Sequence, residues 1–185
     1  MIPEAKRKTE EKMKSAIEAL RHEFSTIRTG RASLALLDDV RVDYYGTPST
    51  LSQVATLALP DARTITVAPW ESKMVGPIEK AIQKSDLGVN PVNDGRVIRL
   101  VMPQLTEDRR KDLVKKAKKM AEESKVAIRN LRRESNEALK KAEKEKEITE
   151  DELLKGEQEV QKLTDDFIKK VDDALAHKDK EIMEV

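Results

Sequence analysis

Residues 113–142 read LVKKAKKMAEESKVAIRNLRRESNEALKKA and contain neither proline nor glycine. Apolar and small residues recur through this stretch at intervals of three and four, which is the spacing of one face of an α-helix. The predicted apolar seam consists of Leu113, Ala117, Met120, Ser124, Ala127, Leu131, Ser135, Ala138 and Ala142. Such a helix cannot bury its seam alone, so the stretch predicts packing against other helices.

Two further segments carry the same spacing. One runs from the amino terminus to Gly30, which is a suitable residue to end a helix. Its seam comprises Ile2, Ala5, Thr9, Met13, Ala16, Leu20, Phe24 and Ile27. The other opens with Thr149 and Glu152, which have the spacing of a capping box. Its seam comprises Leu153, Val160, Leu163, Phe167, Val171, Ala174 and Ile182. Together the three segments predict a three-helix bundle with helices of about 40, 60 and 50 Å.

Residues 31–103 differ in character, since they hold six of the 7 prolines and four of the 6 glycines. Alternating residues predict strands over 40–45, 63–67 and 96–102. A helix is predicted over 72–86. The sequence therefore predicts an α+β protein in which residues 1–30 and 104–185 form the bundle. Residues 31–103 are expected to form an inserted small β/α/β domain.

Composition disfavours an enzyme. Charged residues make up 38% of the chain, aromatic residues make up 3%, and cysteine is absent. Disulfides and cysteine chemistry are thereby excluded. His22 and His177 have no evident catalytic companions, and no Gly-rich phosphate loop occurs. We expect no catalytic residue, no cofactor and no metal.

The sequence predicts a cytoplasmic monomer. The first residues lack the apolar segment of a signal peptide. The longest apolar runs are too short to cross a bilayer. A closed three-helix bundle predicts a monomer.

The helix over 113–142 also predicts a basic stripe. At about 100° per residue, its Lys and Arg side chains cluster roughly 150° from the seam. The basic stripe consists of Lys111, Lys115, Lys118, Lys125, Arg129, Arg132, Arg133 and Lys140. Residues 104–147 contain 15 basic and 10 acidic residues, whereas 148–185 contain 6 and 12, although the whole chain has a net charge of only +1.

Three interpretations of the stripe are open. Charged helices often present a merely solvated face, and Arg129 or Arg133 could pair with nearby glutamates at helical spacing. A coiled-coil adaptor could use the stripe to meet an acidic protein. The third is an RNA-binding surface, because three arginines within five residues offer guanidinium groups that match phosphates. Only Glu122 interrupts the stripe, which favours an anionic partner.

Six stretches, in this order, resemble one protein family over essentially the whole chain. They are IRTGRAS (27–33), YYGTP (44–48), EKAIQKSDLGVNP (79–91), LTEDRRKDL (105–113), VAIRNLRRE (126–134) and VQKLTDDFIKK (160–170). The family is that of the bacterial ribosome recycling factors. The resemblance implies an L-shaped molecule with hinges near 29–31 and 103–105, made of Thr29, Gly30, Arg31, Pro103, Gln104 and Leu105.

The resemblance also implies a function. Family members bind ribosomes after termination and, with elongation factor G and GTP, split the subunits so that mRNA and tRNA are released. By position, Arg129 and Arg132 match family arginines that face RNA of the large subunit, and Arg28 and Arg31 match a second basic pair. Lys125 and Arg133 are added as RNA-binding candidates from the helix geometry alone.

Overall fold

A computed structural model describes residues 2–184. Within that range the chain forms four α-helices and six β-strands. They belong to two compact units. One unit ends at Arg28 and resumes over Glu107–Glu184, and the other spans Thr29–Thr106. The chain is therefore α+β, with long helices and a β-sheet unit.

Three long helices form the first unit: α1 (Ile2–Ser25), α3 (Glu107–Lys144) and α4 (Glu150–Met183). The capping box that opens α4 is confirmed. Thr149 Oγ1 accepts a hydrogen bond from the backbone N–H of Glu152, whose carboxylate accepts one from the N–H of Thr149 at 2.8 Å. Most predicted seam residues of α1 and α4 are buried, as are Ile17 and Gly156, which the prediction omitted.

The first helix ends earlier than predicted. It stops at Ser25 rather than at Gly30. The hydroxyl groups of Ser25 and Thr26 donate hydrogen bonds to the carbonyls of His22 and Glu23, so they satisfy the last turn of the helix locally. Short polar side chains compete with helix continuation in this way. Gly30 lies in a bend beyond the end of the helix and has a positive φ of +77°.

The seam predicted for α3 is partly wrong. Ala127 and Ala138 are exposed, and Met120 and Leu131 are only half-buried. The residues that are buried are Leu113, Ala117, Ala121, Ser124, Ile128, Ser135, Leu139 and Ala142. On a helical wheel this buried face is centred about 40° from the predicted seam. The rotation brings Ile128 and Leu139 into the core, because larger aliphatic side chains gain more than alanine from burial.

Two antiparallel sheets make up the second unit. A hairpin pairs β1 (Arg41–Tyr44) with β2 (Thr47–Thr50). The larger sheet has the order β3-β4-β6-β5. Its strands are β3 (Ala55–Asp61), β4 (Thr64–Pro69), β5 (Val92–Asn93) and β6 (Ile98–Val101). Helix α2 (Val75–Lys84) supplies Val75, Ile78 and Ile82 to a core shared with Ile65, Val67 and Leu100.

The three predicted strands correspond to β1, β4 and β6, whereas β2, β3 and β5 were missed. Strands β2 and β3 were not predicted because they contain Pro48 and Pro60, and proline disfavours a strand. Strand β5 has only two residues. Tyr44 packs against the core, whereas Tyr45 is 69% exposed.

Gly30 lies close to the segment that leads into α3. A β-carbon at Gly30 would be 3.3 Å from Leu105 Cγ and 3.4 Å from the carbonyl oxygen of Pro103. The positive φ and the lack of room for a β-carbon therefore both favour glycine at position 30. The predicted hinge residues 29–31 and 103–105 thus meet within the second unit. That they act as hinges stays a prediction.

Candidate nucleic-acid interface

The basic stripe of α3 lies nearer to the core than predicted. Because the buried face is centred about 40° from the predicted seam, the stripe lies about 110° from the buried face rather than 150°. One edge of the stripe consequently meets α4, while the other edge faces solvent. The two edges have different electrostatic surroundings.

Lys125 belongs to the edge that meets α4. Its ammonium lies 2.5 Å from a carboxylate oxygen of Asp172 and 3.5 Å from one of Glu122. The side chain is only 14% exposed. The hydrogen bond to Asp172 raises the pKa of Lys125 above its usual value, so the lysine stays charged. Its charge is balanced within the bundle, and its predicted role in RNA binding stays a prediction.

Arg132 and Lys140 also contact α4. Arg132 donates a hydrogen bond to the side-chain carbonyl of Gln161 at 3.1 Å, and Gln161 in turn donates to Asp165 at 2.8 Å. Lys140 lies 3.7 Å from a carboxylate oxygen of Glu157. Gln161 is neutral, so it orients the guanidinium of Arg132 without cancelling its charge. These α4 partners were not foreseen, because an ion pair between helices leaves no fixed spacing in the sequence.

The outward edge of the stripe carries uncompensated charge. Among residues 2–184, Lys115, Arg129 and Arg133 form no salt bridge with any carboxylate. Arg133 and Lys115 are exposed, and Arg129 is half-buried. The glutamates considered as partners for these arginines are not used, since Glu134 pairs instead with Lys12 of α1. This edge can therefore offer guanidinium and ammonium donors to phosphate oxygens.

Arg28 and Arg31 occupy the connection after α1, and both are exposed. Arg28 belongs to the first unit and Arg31 to the second. Neither forms a salt bridge within the described residues. Their charges are open to an anionic partner, and their role in RNA binding stays a prediction.

A second polar cluster lies on the α/β unit. Both Tyr44 and Tyr45 donate hydrogen bonds to the carboxylate of Glu71, and Lys73 lies 3.3 Å from the same group. The hydrogen bond from Tyr44 lowers the pKa of Glu71 and raises the pKa of Tyr44. These contacts tie the β1–β2 hairpin to the chain that precedes α2. They fix the position of the hairpin relative to that part of the chain.

Comparisons with known proteins decide the family. A family model described as ribosome recycling factor matches residues 20–183. The chain belongs to the ribosome recycling factor family. This result confirms the resemblance identified from the six stretches of sequence. It also confirms the prediction that the chain is a translation factor that acts in ribosome recycling.

Relatives match over nearly full length. The ribosome-recycling factor of Trichlorobacter lovleyi is 63% identical over 173 residues, covering 94% of each chain. That of Caldicellulosiruptor saccharolyticus is 57% identical over 184 residues, covering 100% of each chain.

Solved structures of the family share the fold. A solution structure of a ribosome recycling factor aligns with a TM-score of 0.73 at 38% identity, covering 100% of this chain and 98% of the other. A second match is the T. thermophilus factor in a structure that also holds E. coli elongation factor G, both bound to the E. coli post-termination complex. It aligns with a TM-score of 0.62 at 45% identity, covering 99% of each chain. These matches confirm the predicted α+β class with its long helices.

Proposed function

We propose that the chain binds the ribosome after termination with the outward edge of the basic stripe against RNA of the large subunit. With elongation factor G and GTP, it then separates the subunits, so that mRNA and tRNA are released for another round. The observation that carries the proposal is the likeness, at 45% identity over 99% of each chain, to a factor placed with elongation factor G on a post-termination complex.

The charges of α3 support the docking surface. Arg129, Arg133 and Lys115 face outward and have no ion pair within the described part of the chain. Arg132 adds a guanidinium whose only side-chain partner among those residues is the neutral amide of Gln161. Phosphate contacts of this kind fix position and orientation on an RNA surface. Lys125 contributes mainly to the bundle, because Asp172 and Glu122 balance its charge.

The factor needs no chemistry of its own in this mechanism. GTP hydrolysis belongs to elongation factor G, so we propose that this chain is not an enzyme. None of the helices within residues 2–184 is long and apolar enough to cross a membrane. We assign the chain to the cytoplasm because its family acts on ribosomes.

We propose that the two connecting segments transmit force from the α/β unit to the bundle. Force from elongation factor G would act on the α/β unit and pass through residues 29–31 and 103–105 to the bundle. The bundle would then disturb contacts that hold the subunits together. A chain crosslinked across both segments is expected to bind the ribosome yet lose subunit splitting. Full-rate splitting by the crosslinked chain would contradict this step.

The proposal as a whole is tested by light scattering of post-termination ribosomes mixed with elongation factor G and GTP. Wild type is expected to lower the scattering as subunits separate. Arg129→Ala/Arg132→Ala is expected to slow this step by about tenfold or more, because two phosphate contacts are lost. Lys162→Ala/Lys169→Ala removes the same charge from exposed positions of α4 and should match wild type. Equal rates for the wild type and the arginine variant would contradict the proposal.

A further inference from the structure

An open groove runs between α1 and α3. It contains three cavities in line, of about 380, 180 and 240 Å³. Small residues line much of it: Ala5, Ala16, Ala19, Ala127, Ser135 and Ala138. The groove follows α3 from Met120 to Ala142, a length of about 33 Å at 1.5 Å per residue. We call this feature the α1–α3 groove.

The groove is lined by part of the apolar seam predicted for α3, because the face of α3 that is buried is centred about 40° from that seam. In the seam predicted for α3, four apolar residues are left half-buried or exposed, and all of them line the groove: Met120, Ala127, Leu131 and Ala138. The sequence thus carries helical apolar spacing on this face, although no described element covers it. Small residues on a helix face allow another backbone to approach closely.

Two buried hydroxyl groups in the groove have no partner. Ser124 lines the 180 Å³ cavity and is 9% exposed, and Ser135 lines the 380 Å³ cavity and is 6% exposed. Neither hydroxyl forms a hydrogen bond within the described residues. By contrast, Thr9 and Thr164 donate to the carbonyls of Ala5 and Val160 in the preceding turn. A buried hydroxyl without a partner costs free energy, so these two weaken the packing beneath the groove.

The rim of the groove is acidic. Its three lysines are matched by glutamates: Lys8 pairs with Glu4, Lys12 with Glu134, and Lys141 with Glu145. Three further glutamates on the rim, Glu23, Glu123 and Glu147, form no salt bridge among residues 2–184. The Lys12–Glu134 pair crosses the groove at 3.3 Å, but both side chains are 62% exposed. Such an exposed pair is weak and can rearrange.

We propose that the α1–α3 groove binds an amphipathic helix of a partner protein, with small and aliphatic residues on its apolar face and Lys or Arg along its flanks. The apolar spacing and the acidic rim together fit this occupant. The rim repels RNA phosphates, which disfavours nucleic acid. The groove lies about 170° around α3 from the basic stripe, so both surfaces can be occupied at once. The inference does not rest on the proposed function.

The test uses two synthetic helical peptides of about 20 residues. Both carry alanine and leucine on one face, and their flanks carry lysine in one peptide and glutamate in the other. Binding to the full chain is followed by fluorescence anisotropy. The lysine peptide is expected to bind at least about tenfold more tightly than the glutamate peptide.

Single substitutions locate the site. Ala138→Gln fills the largest of the three cavities and is expected to weaken binding of the lysine peptide by about tenfold. Ala127→Gln, in a different cavity, should act likewise and guards against a folding defect at Ala138. Ala176→Gln makes the same change at an exposed position of α4 and should have no effect. Circular dichroism of each variant checks its helicity.

Three outcomes would overturn the inference. One is equal binding of the lysine peptide by wild type, Ala127→Gln and Ala138→Gln. Another is equal binding of the two peptides. The third is self-association of the chain in sedimentation that Ala138→Gln abolishes, which would make a second copy the occupant. Affinity for large ribosomal subunits should be unchanged in Ala138→Gln, so failure here is distinguishable from failure of the proposed function.

Discussion

The ammonium of Lys125 lies 2.5 Å from a carboxylate oxygen of Asp172 and joins α3 to α4. This contact divides the basic stripe into an edge that stabilises the bundle and an edge that remains open to an anionic partner. Charge on a helix is thus a poor guide to binding until the neighbouring helices are known.

Lys125 is expected to matter for stability more than for ribosome binding. Lys125→Ala and Asp172→Ala should each lower the free energy of unfolding, with a coupling of about 1 kcal/mol in the double-mutant cycle. Urea unfolding of the four proteins measures this coupling. The affinity of Lys125→Ala for large subunits should stay close to that of wild type. Zero coupling together with a large loss of affinity would show that Lys125 belongs to the binding edge.

Gly156 is expected to resist replacement because of its neighbours. A β-carbon there would lie 3.1 Å from Cδ1 of Leu139, which is itself 2% exposed and cannot easily move. Gly156→Ala should lower the free energy of unfolding by about 1 kcal/mol. The control is Gly156→Ala in a Leu139→Ala background, where the contact with Leu139 Cδ1 is removed. In that background the better helix propensity of alanine should stabilise by about 0.5–1 kcal/mol, and a gain of that size in the wild-type background would contradict the packing described.

The capping box of α4 predicts a dependence of stability on pH. Hydrogen bonds from Thr149, first from its backbone N–H, lower the pKa of Glu152 below its usual 4.5. A depressed carboxyl pKa stabilises the folded state above the unfolded-state pKa, and this stabilisation is lost as pH falls through the folded-state value. Glu152→Gln should therefore unfold more easily than wild type at pH 7, with a smaller difference below about pH 4. Thermal unfolding across pH measures the difference, and a constant difference would argue against the carboxylate.

A comparison of substitutions at Gly30 and Gly46 separates the cost of a positive φ from the cost of crowding around an added β-carbon. Both have positive φ, +77 and +82, but a β-carbon meets nothing within 4 Å at Gly46 and meets Leu105 at Gly30. Gly46→Ala should cost about 1 kcal/mol of unfolding free energy from φ alone. Gly30→Ala should cost more, since Leu105 or its segment must also shift. Equal losses in chemical denaturation would show that the contact with Leu105 does not matter.

Much of the fold follows from local patterns in the sequence. The capping box at Thr149, the interrupted composition of 31–103 and the three seams predicted the helices and the inserted β-sheet unit. Boundaries were harder, because the end of α1 depends on hydroxyl caps at Ser25 and Thr26 rather than on Gly30.

The candidate site depended on tertiary packing. A wheel drawn for α3 alone cannot show which apolar residues its partners cover, so it placed Ala127 and Ala138 inside and Lys125 outside. Because the predicted seam was displaced by about 40° from the buried face, the wheel indicated neither the pairing of Lys125 with Asp172 nor the α1–α3 groove. Residues paired across helices, such as Asp172 and Gln161, leave no signal in a single sequence.

The central claim is that the outward edge of the basic stripe docks on ribosomal RNA. Its most direct test is equilibrium binding to purified large subunits across a salt series. Arg129→Ala/Arg133→Ala is compared with wild type and with Lys162→Ala/Lys169→Ala, and circular dichroism checks that all three are folded. We predict that affinity falls steeply with salt for wild type and the lysine control, and that the arginine variant binds more weakly with a slope shallower by about 1–2 units. Binding that is insensitive to salt, or the same slope in all three proteins, would contradict the account.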